Sequence, residues 1–188
     1  MRNQIMAAAI EEITEFGIKF TMSDLVKRLS ISKSTLYAHF KSKEELIGAI
    51  IDDSLTTMRQ NEKNILDNNT LNVIEKLKAL SVIHPPLTIN IRVMLDLKRY
   101  FTEEWVKIQQ HSIEKWETIE FLIKQGIADG YFRSIDLAIL RTIFNGAEKE
   151  LMDQSFFIHN SLSFNDAMNQ VSDILFRGIM NTDDSGEL

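Results

Sequence analysis

Helix breakers are almost missing from this chain. Its 188 residues include seven glycines and two prolines, and the prolines stand side by side at Pro85-Pro86. Proline removes a backbone donor and glycine costs backbone entropy, so their scarcity leaves long stretches free to coil. Apolar residues recur through those stretches at three- and four-residue spacing, the period of an amphipathic helix. An all-α protein of about nine helices follows, three short ones and then longer ones.

Local punctuation sets the expected boundaries. The first helix runs from Asn3 to Phe16 with Ile5, Ala9, Ile13 and Phe16 on one face, and Gly17 closes it. Thr21-Met-Ser-Asp24 reads as a capping box opening a short helix through Leu29. Ser32 caps a third helix from Lys33 to His39, and Ser42-Lys-Glu-Glu45 is a second capping box. The fourth helix carries the stripe Leu46, Ile50/Ile51, Leu55, Met58, Ile65, and Asp67-Asn-Asn-Thr70 ends it with Thr70 capping the next. His84-Pro-Pro86 is a break, and the alternating segment 87–93 fits strand or helix; with no partner strand, helix is expected. A long helix over 103–129 carries Trp105, Ile108, Ser112, Trp116, Ile119, Ile123 and Ile127. Helices over 136–157 and 164–180 follow, the last capped by Ser163, and the polar tail 183–188 is expected to fray.

Charge divides the chain. The formal total is −6, yet residues 19–43 set Lys19, Lys27, Arg28, Lys33, Lys41 and Lys43 against Asp24 alone, a net of +5. The acidic remainder discourages indiscriminate binding to polyanions, and the basic stretch marks where a specific one would bind.

That stretch also has the layout of a helix-turn-helix. Leu25, Val26 and Leu29 on one short helix, Ile31 in the turn, and Leu36 and Phe40 on the next make apolar sides that face each other. The outer side of the second helix shows Lys33, Ser34, Thr35, Tyr37 and His39, with no acid among them. A helix of this size fits the major groove, where its first residues reach base edges.

The string Ser32-Lys-Ser-Thr-Leu-Tyr-Ala-His-Phe-Lys-Ser-Lys-Glu-Glu-Leu46 resembles the recognition-helix signature of the tetracycline-repressor (TetR) family. The Ala-rich first helix, Phe16-Gly17 and Thr21-x-x-x-Leu25 are similar to the same family's first two helices, so the resemblance covers about residues 5–50. Ser30 and Ser34 stand where that family usually has glycine. A left-handed Ser30 would cost about 1–2 kcal/mol, and Ser34 adds a hydroxyl at the groove.

The resemblance implies residues 1–47 as a DNA-binding domain and 48–188 as an effector-binding and dimerisation domain. Double-stranded operator DNA, a small-molecule effector and a second copy of the chain are the implied partners. Within the reader, Thr21 at a helix start is expected on a phosphate. Ser32 caps the recognition helix, and Lys33, Ser34 and Thr35 are expected on base edges. Tyr37 and His39 are expected on phosphates or a thymine methyl, and Lys43 as an outer phosphate clamp. The last two helices would pair with their symmetry mates in a four-helix bundle through Leu140, Ile143, Phe144, Ala147 and Leu151, with Met168, Val171, Leu175 and Ile179. Gly146 and Gly178 would let those helices approach closely.

Aromatic and soft side chains concentrate mid-chain, including Tyr100 and Phe121. A pocket for a lipophilic effector is expected from Met58, Met94, Phe101, Trp105 and Trp116, with Gln109, Ser112 and Glu120 as polar groups. The fourth helix would couple effector to operator.

Other classes fit less well. The four histidines, His39, His84, His111 and His159, lack metal-ligand spacing, there is no cysteine, and no phosphate loop or nucleophile elbow occurs. No catalytic residue, metal or cofactor is therefore expected, and an enzyme is disfavoured. A helical interaction module without DNA binding is the other alternative, disfavoured by the unbroken Lys33–Lys43 string. No signal peptide and no membrane span is read, so a cytoplasmic location is expected.

Overall fold

The first four helices begin and end where the caps require. In the computed structural model, which describes residues 1–83, 91–151 and 162–181, α1 is Arg2–Phe16, α2 Met22–Leu29, α3 Lys33–His39 and α4 Lys43–Leu66. Then come α5 (Val73–Ser81), α6 (Ile91–Tyr100), α7 (Thr102–Ala128), α8 (Leu137–Leu151) and α9 (Phe164–Gly178). Among the described residues there are nine helices and no strand, only an isolated antiparallel bridge between Phe132 and Met180. The all-α expectation holds. His84-Pro85-Pro86, the segment 87–90, the expected helix end at Phe157, His159 and the tail 183–188 lie outside the described residues.

Capping explains most boundaries. Thr21 and Asp24 form a complete capping box at α2, and Ser32 Oγ accepts from Thr35 N at 3.0 Å at α3. The box at α4 is split: Ser42 Oγ accepts from Glu45 N, but the Glu45 carboxylate receives the Lys41 N–H instead of that of Ser42. Thr70 does not cap α5. It folds into a turn on Asn68 Oδ1, and Asn72 caps α5 through a box with Glu75.

The chain divides into two compact units. One comprises Met1–Met58 and His84–Gln110, the other Arg59–Ile83 and His111–Leu188. Both α4 and α7 therefore contribute a segment to each unit.

In the first unit α1 packs on α2 and α2 on α3. Ile5, Leu25, Leu36, Phe40 and Leu46 are wholly buried, and each such side chain contributes about 1.5–3 kcal/mol relative to exposure. Phe16, expected on the buried face of α1, is 63% exposed. Glu12 takes an inner position because Arg28 of α2 meets it at 2.6 Å, with Glu11 and Glu15 on the same guanidinium at 2.9 and 2.7 Å. On the far side, Lys107 of α7 pairs with Asp52 of α4 at 2.6 Å.

In the second unit α9 packs against α5 and α8. Leu77, Leu80, Ile123, Phe132, Met168 and Phe176 lie at the centre of its core. A buried Ser81–Ser172 hydroxyl pair at 2.5 Å and a Lys78–Asp173 ion pair bind α5 to α9. Gly126 is required at the end of α7. A Cβ there would meet the Phe132 ring at 2.4 Å, and the Gly126 carbonyl accepts the Tyr131 and Phe132 N–H groups as the chain turns back.

Candidate nucleic-acid interface

The turn between α2 and α3 is built on one unusual backbone conformation. Ser30 adopts φ 53°, ψ 39°, the only positive φ at a non-glycine among the described residues. Its N–H donates to Lys27 O and that of Ile31 to Val26 O, so the turn satisfies the end of α2. Left-handed geometry at a residue with a Cβ costs about 1–2 kcal/mol. The strain fixes the angle at which α3 leaves α2.

With Leu36 and Phe40 buried, the opposite side of α3 is outward. Lys33, Ser34 and Tyr37 are exposed, Tyr37 by 47%, while Thr35 and His39 are half-buried. Ser32 Oγ lies 2.7 Å from Ser34 Oγ and 2.8 Å from Thr35 Oγ1, so three hydroxyls cluster at the start of α3. Such hydroxyls can donate or accept, which suits either a base edge or a phosphate oxygen.

Thr21 is more committed than its sequence suggests. Its N–H and hydroxyl both donate to Asp24 Oδ2, at 2.8 and 2.7 Å, and hydrogen bonding from Thr21 holds the Asp24 carboxyl below its usual range. Reaching a phosphate requires the hydroxyl to leave Asp24.

Two expected basic groups are occupied within the protein. The Lys43 ammonium donates to the Ile18 and Phe20 carbonyls and lies 4.3 Å from the Phe20 ring centroid, and burial pushes its pKa down. Lys43 therefore ties the α1–α2 connection to the start of α4, leaving one ammonium hydrogen for a phosphate. Arg28 is spent on three α1 carboxylates. The net of +5 overstates the free charge, which is carried by the exposed Lys19, Lys27, Lys33 and Lys41.

The eight residues expected in one effector pocket divide between the two units. Met58, Met94, Phe101, Trp105 and Gln109 belong to the first unit, and Ser112, Trp116 and Glu120 to the second. Ser112 and Gln109 are exposed, as are Tyr100 and Phe121. Trp116 is core: its ring packs on Phe144 at 6.0 Å between centroids, and its indole N–H donates to Glu120 at 2.7 Å.

The second unit instead holds a cavity of about 210 Å³ between α4, α5 and α7. Arg59, Glu62, Lys63, Asp67, Glu114 and Lys115 supply its charged lining. Beside it His111 is buried, 4% exposed, with Nε2 3.3 Å from Glu62 Oε2 but out of hydrogen-bonding alignment. Burial pushes the Lys115 pKa down and the Glu148 pKa up. Sequence reading missed this site, because its members alternate in sign along two exposed-looking helical faces and only the fold apposes them.

The residues expected at the dimer interface differ in their exposure within the single chain. Leu140, Phe144, Leu151, Met168 and Ile179 are buried within the single chain and offer no surface to a partner. Ala147, Val171 and Leu175 are half-buried, and Ile143 is 50% exposed. Among the described side chains, Ile139 on α8 and Ile174 on α9 are the large apolar groups most exposed on those helices, Ile174 by 70%. A Cβ on Gly146 or Gly178 would meet nothing among the described residues, so neither glycine serves close packing between them.

Residues 5–50 match the family model for bacterial regulatory proteins of the tetR family. An uncharacterized HTH-type transcriptional regulator of Bacillus subtilis, YvaF, is 28% identical over 181 residues, 95% of each chain. The HTH-type transcriptional repressor KstR2 of Mycolicibacterium smegmatis is 28% identical over 145 residues, 70% of this chain and 67% of its own. A regulator from Saccharomonospora viridis, solved in complex with choline, superposes with a TM-score of 0.75 at 18% identity, over 96% of this chain and 97% of that one. The exposed recognition face and the shared fold define a helix-turn-helix DNA-binding transcriptional regulator. Within that class, the chain is similar to regulators of the tetR family through the match of residues 5–50. Its relatives are named regulators, not enzymes, and no described helix is long and apolar enough to cross a membrane.

Proposed function

We propose that the protein is a cytoplasmic repressor that binds a palindromic operator as a homodimer and leaves it when a small effector binds. The observation that carries this reading is the outward face of α3, with Lys33, Ser34 and Tyr37 exposed on a helix fixed from behind by Leu36 and Phe40. Residues 1–47 are the reader, and 48–188 carry the effector and dimer functions. Ser32, Ser34 and Thr35 present hydroxyls to base edges or phosphates, Lys33 a base or phosphate contact, and Tyr37, His39 and Thr21 flanking contacts. Lys43 contributes its remaining hydrogen to a phosphate while bracing the α1–α2 connection.

Two copies are needed because one short helix reads too few bases. Paired readers on half-sites about 34–36 Å apart multiply the discrimination. The exposed Ile139, Ile143 and Ile174, with open space at Gly146 and Gly178, supply the apolar contact surface for that pairing. The repressor sense is supported by the name of the KstR2 relative, and a small effector by the choline complex of the structural neighbour.

The test is selection of bound duplexes from a random pool, followed by binding titrations at several salt concentrations. An inverted repeat whose affinity falls as salt rises is expected. Enrichment of no sequence at all would leave a helical interaction module as the reading.

A further inference from the structure

Phe40 closes α3 and is wholly buried, and a cation covers its ring. The guanidinium of Arg2, in the first turn of α1, has its carbon 4.6 Å from the Phe40 ring centroid, within the reach of a cation–π contact. Arg2 is nevertheless exposed. Among the described residues its hydrogen-bond acceptor is the Met6 sulfur, at 3.4 Å, and no carboxylate pairs with it. A thioether is a weak acceptor, so the N–H fork is left almost wholly to solvent. That separates Arg2 from Arg28, which is spent on three carboxylates, and from Lys43, which donates to two carbonyls.

The free charge is also well placed. α3 has seven residues, about 10 Å of helix at 1.5 Å per residue. Lys33 and the hydroxyls of Ser34 and Thr35 occupy its start, and Arg2 is fixed at its end, where Lys41 is exposed. A recognition helix whose first residues reach base edges turns its far end toward the margin of the groove, where the phosphates run. A planar fork of N–H donors matches two phosphate oxygens at once. Contact with the ring restricts the side chain before DNA arrives, so less freedom is lost on binding.

We propose that Arg2 is a contact to the DNA backbone: anchored on Phe40, its guanidinium takes an operator phosphate at the far end of α3 from the base-reading hydroxyls. The inference rests on the reading of α3 as the helix that meets DNA. It gives the first unit a cation from outside the basic stretch 19–43, brought to α3 by the packing of α1. Phosphates are alike at every base pair, so the contact strengthens binding without reading sequence.

The experiment compares wild type, Arg2→Met and Arg2→Lys on the selected operator and on an unrelated duplex, at several salt concentrations. Methionine keeps an unbranched cover for Phe40 and removes the charge. Per bound protomer, Arg2→Met is expected to weaken both duplexes about three- to tenfold. It should also lower the slope of log affinity against log salt by about 0.9, the share of one phosphate. Arg2→Lys is expected to keep the wild-type slope and most of the affinity. Replacing operator phosphates one at a time with methylphosphonate should reveal a position where wild type loses affinity and Arg2→Met does not. Arg2→Gln, also neutral, carries the same comparison should Arg2→Met fold poorly.

A side chain that only covers Phe40 would shift Tm and leave the salt slope and the phosphate scan at their wild-type values, which would overturn the proposal. A loss confined to the operator, with the unrelated duplex unaffected, would make Arg2 a base reader and overturn it as well. Either result with wild type still bound to its operator rejects this contact alone. A wild type that binds no duplex rejects α3 as the reading helix, and the contact with it.

Discussion

The two units handle charge in opposite ways. In the first, ionic groups stay at the surface or are matched at once: Arg28 takes three carboxylates, Lys43 takes two carbonyls, and the remaining lysines face solvent. In the second, Glu62, His111, Lys115 and Glu148 are drawn inward, and Glu62 Oε1 and His111 Nε2 have no hydrogen-bond partner among the described residues. A reader of DNA needs rigid, exposed, solvated cations, since its partner brings the opposite charge from outside. A receptor for a small molecule needs the reverse, polar groups held dry so that each hydrogen bond discriminates. Placement of charge relative to the core, more than its amount, separates the two roles.

The largest effect should come from the surface that neither unit uses for its own core. Ile143→Lys with Ile174→Lys should turn the dimer into a monomer by light scattering and reduce operator affinity by orders of magnitude, with thermal stability nearly unchanged. A dimer that persists in the double variant would move the interface elsewhere. Next, Lys33→Ala should lower operator affinity about 10- to 100-fold, the cost of about 1–3 kcal/mol for a specific contact, without shifting Tm. A drop in Tm of similar weight would mean that Lys33 works inside the first unit and not from its surface.

Gly126→Ala probes the second unit. Overpacking against Phe132 should destabilise it by about 1–3 kcal/mol, read by chemical denaturation, while operator affinity per folded molecule stays the same. The buried lysine predicts a pH effect. Burial lowers the Lys115 pKa in the folded state, so its contribution to stability is complete above the unfolded lysine range near 10.4 and is lost as pH falls through the folded value. Lys43 adds the same sign. Wild type should therefore gain stability as pH rises toward the unfolded lysine range, and Lys115→Met should flatten that slope without abolishing it. An unchanged slope would place the Lys115 ammonium in solvent. The smallest effect is expected at the turn: Ser30→Gly relieves about 1–2 kcal/mol of left-handed strain but adds about 0.5–1 kcal/mol of backbone entropy cost. A net gain under about 1 kcal/mol should raise Tm slightly, and a loss would mean that the Ser30 hydroxyl does more than occupy the turn.

Most of the fold was legible because its signals are local. A cap speaks to an N–H three residues on, and an apolar stripe to its own helix, so Thr21, Ser32 and Ser163 open their helices where expected. Thr70 failed as a cap because Asn68 competes for it through a tighter turn. The outward side of α3 was legible for the same reason: α3 is short, Leu36 and the capping Phe40 are buried, and Lys33, Ser34 and Tyr37 are exposed while Thr35 and His39 are half-buried. Packing partners in the middle of the chain were not legible. A stripe of Trp, Met and Phe states that a helix face is apolar without stating what it faces, and Trp116 faces Phe144.

What the sequence determined by itself is helix content, most helix ends and which residues of α3 lie on its outward side. Only the tertiary structure decided that Arg28 and Lys43 are spent inside the protein, that Gly126 must admit Phe132, and that Glu62 and Lys115 line one cavity. It also decided that Ile139 faces out beside a buried Leu140. Successive helical residues point about 100° apart, so a small rotation of a helix exchanges core for surface. That rotation is set by the helices packed against it, whose positions are encoded far away in the chain.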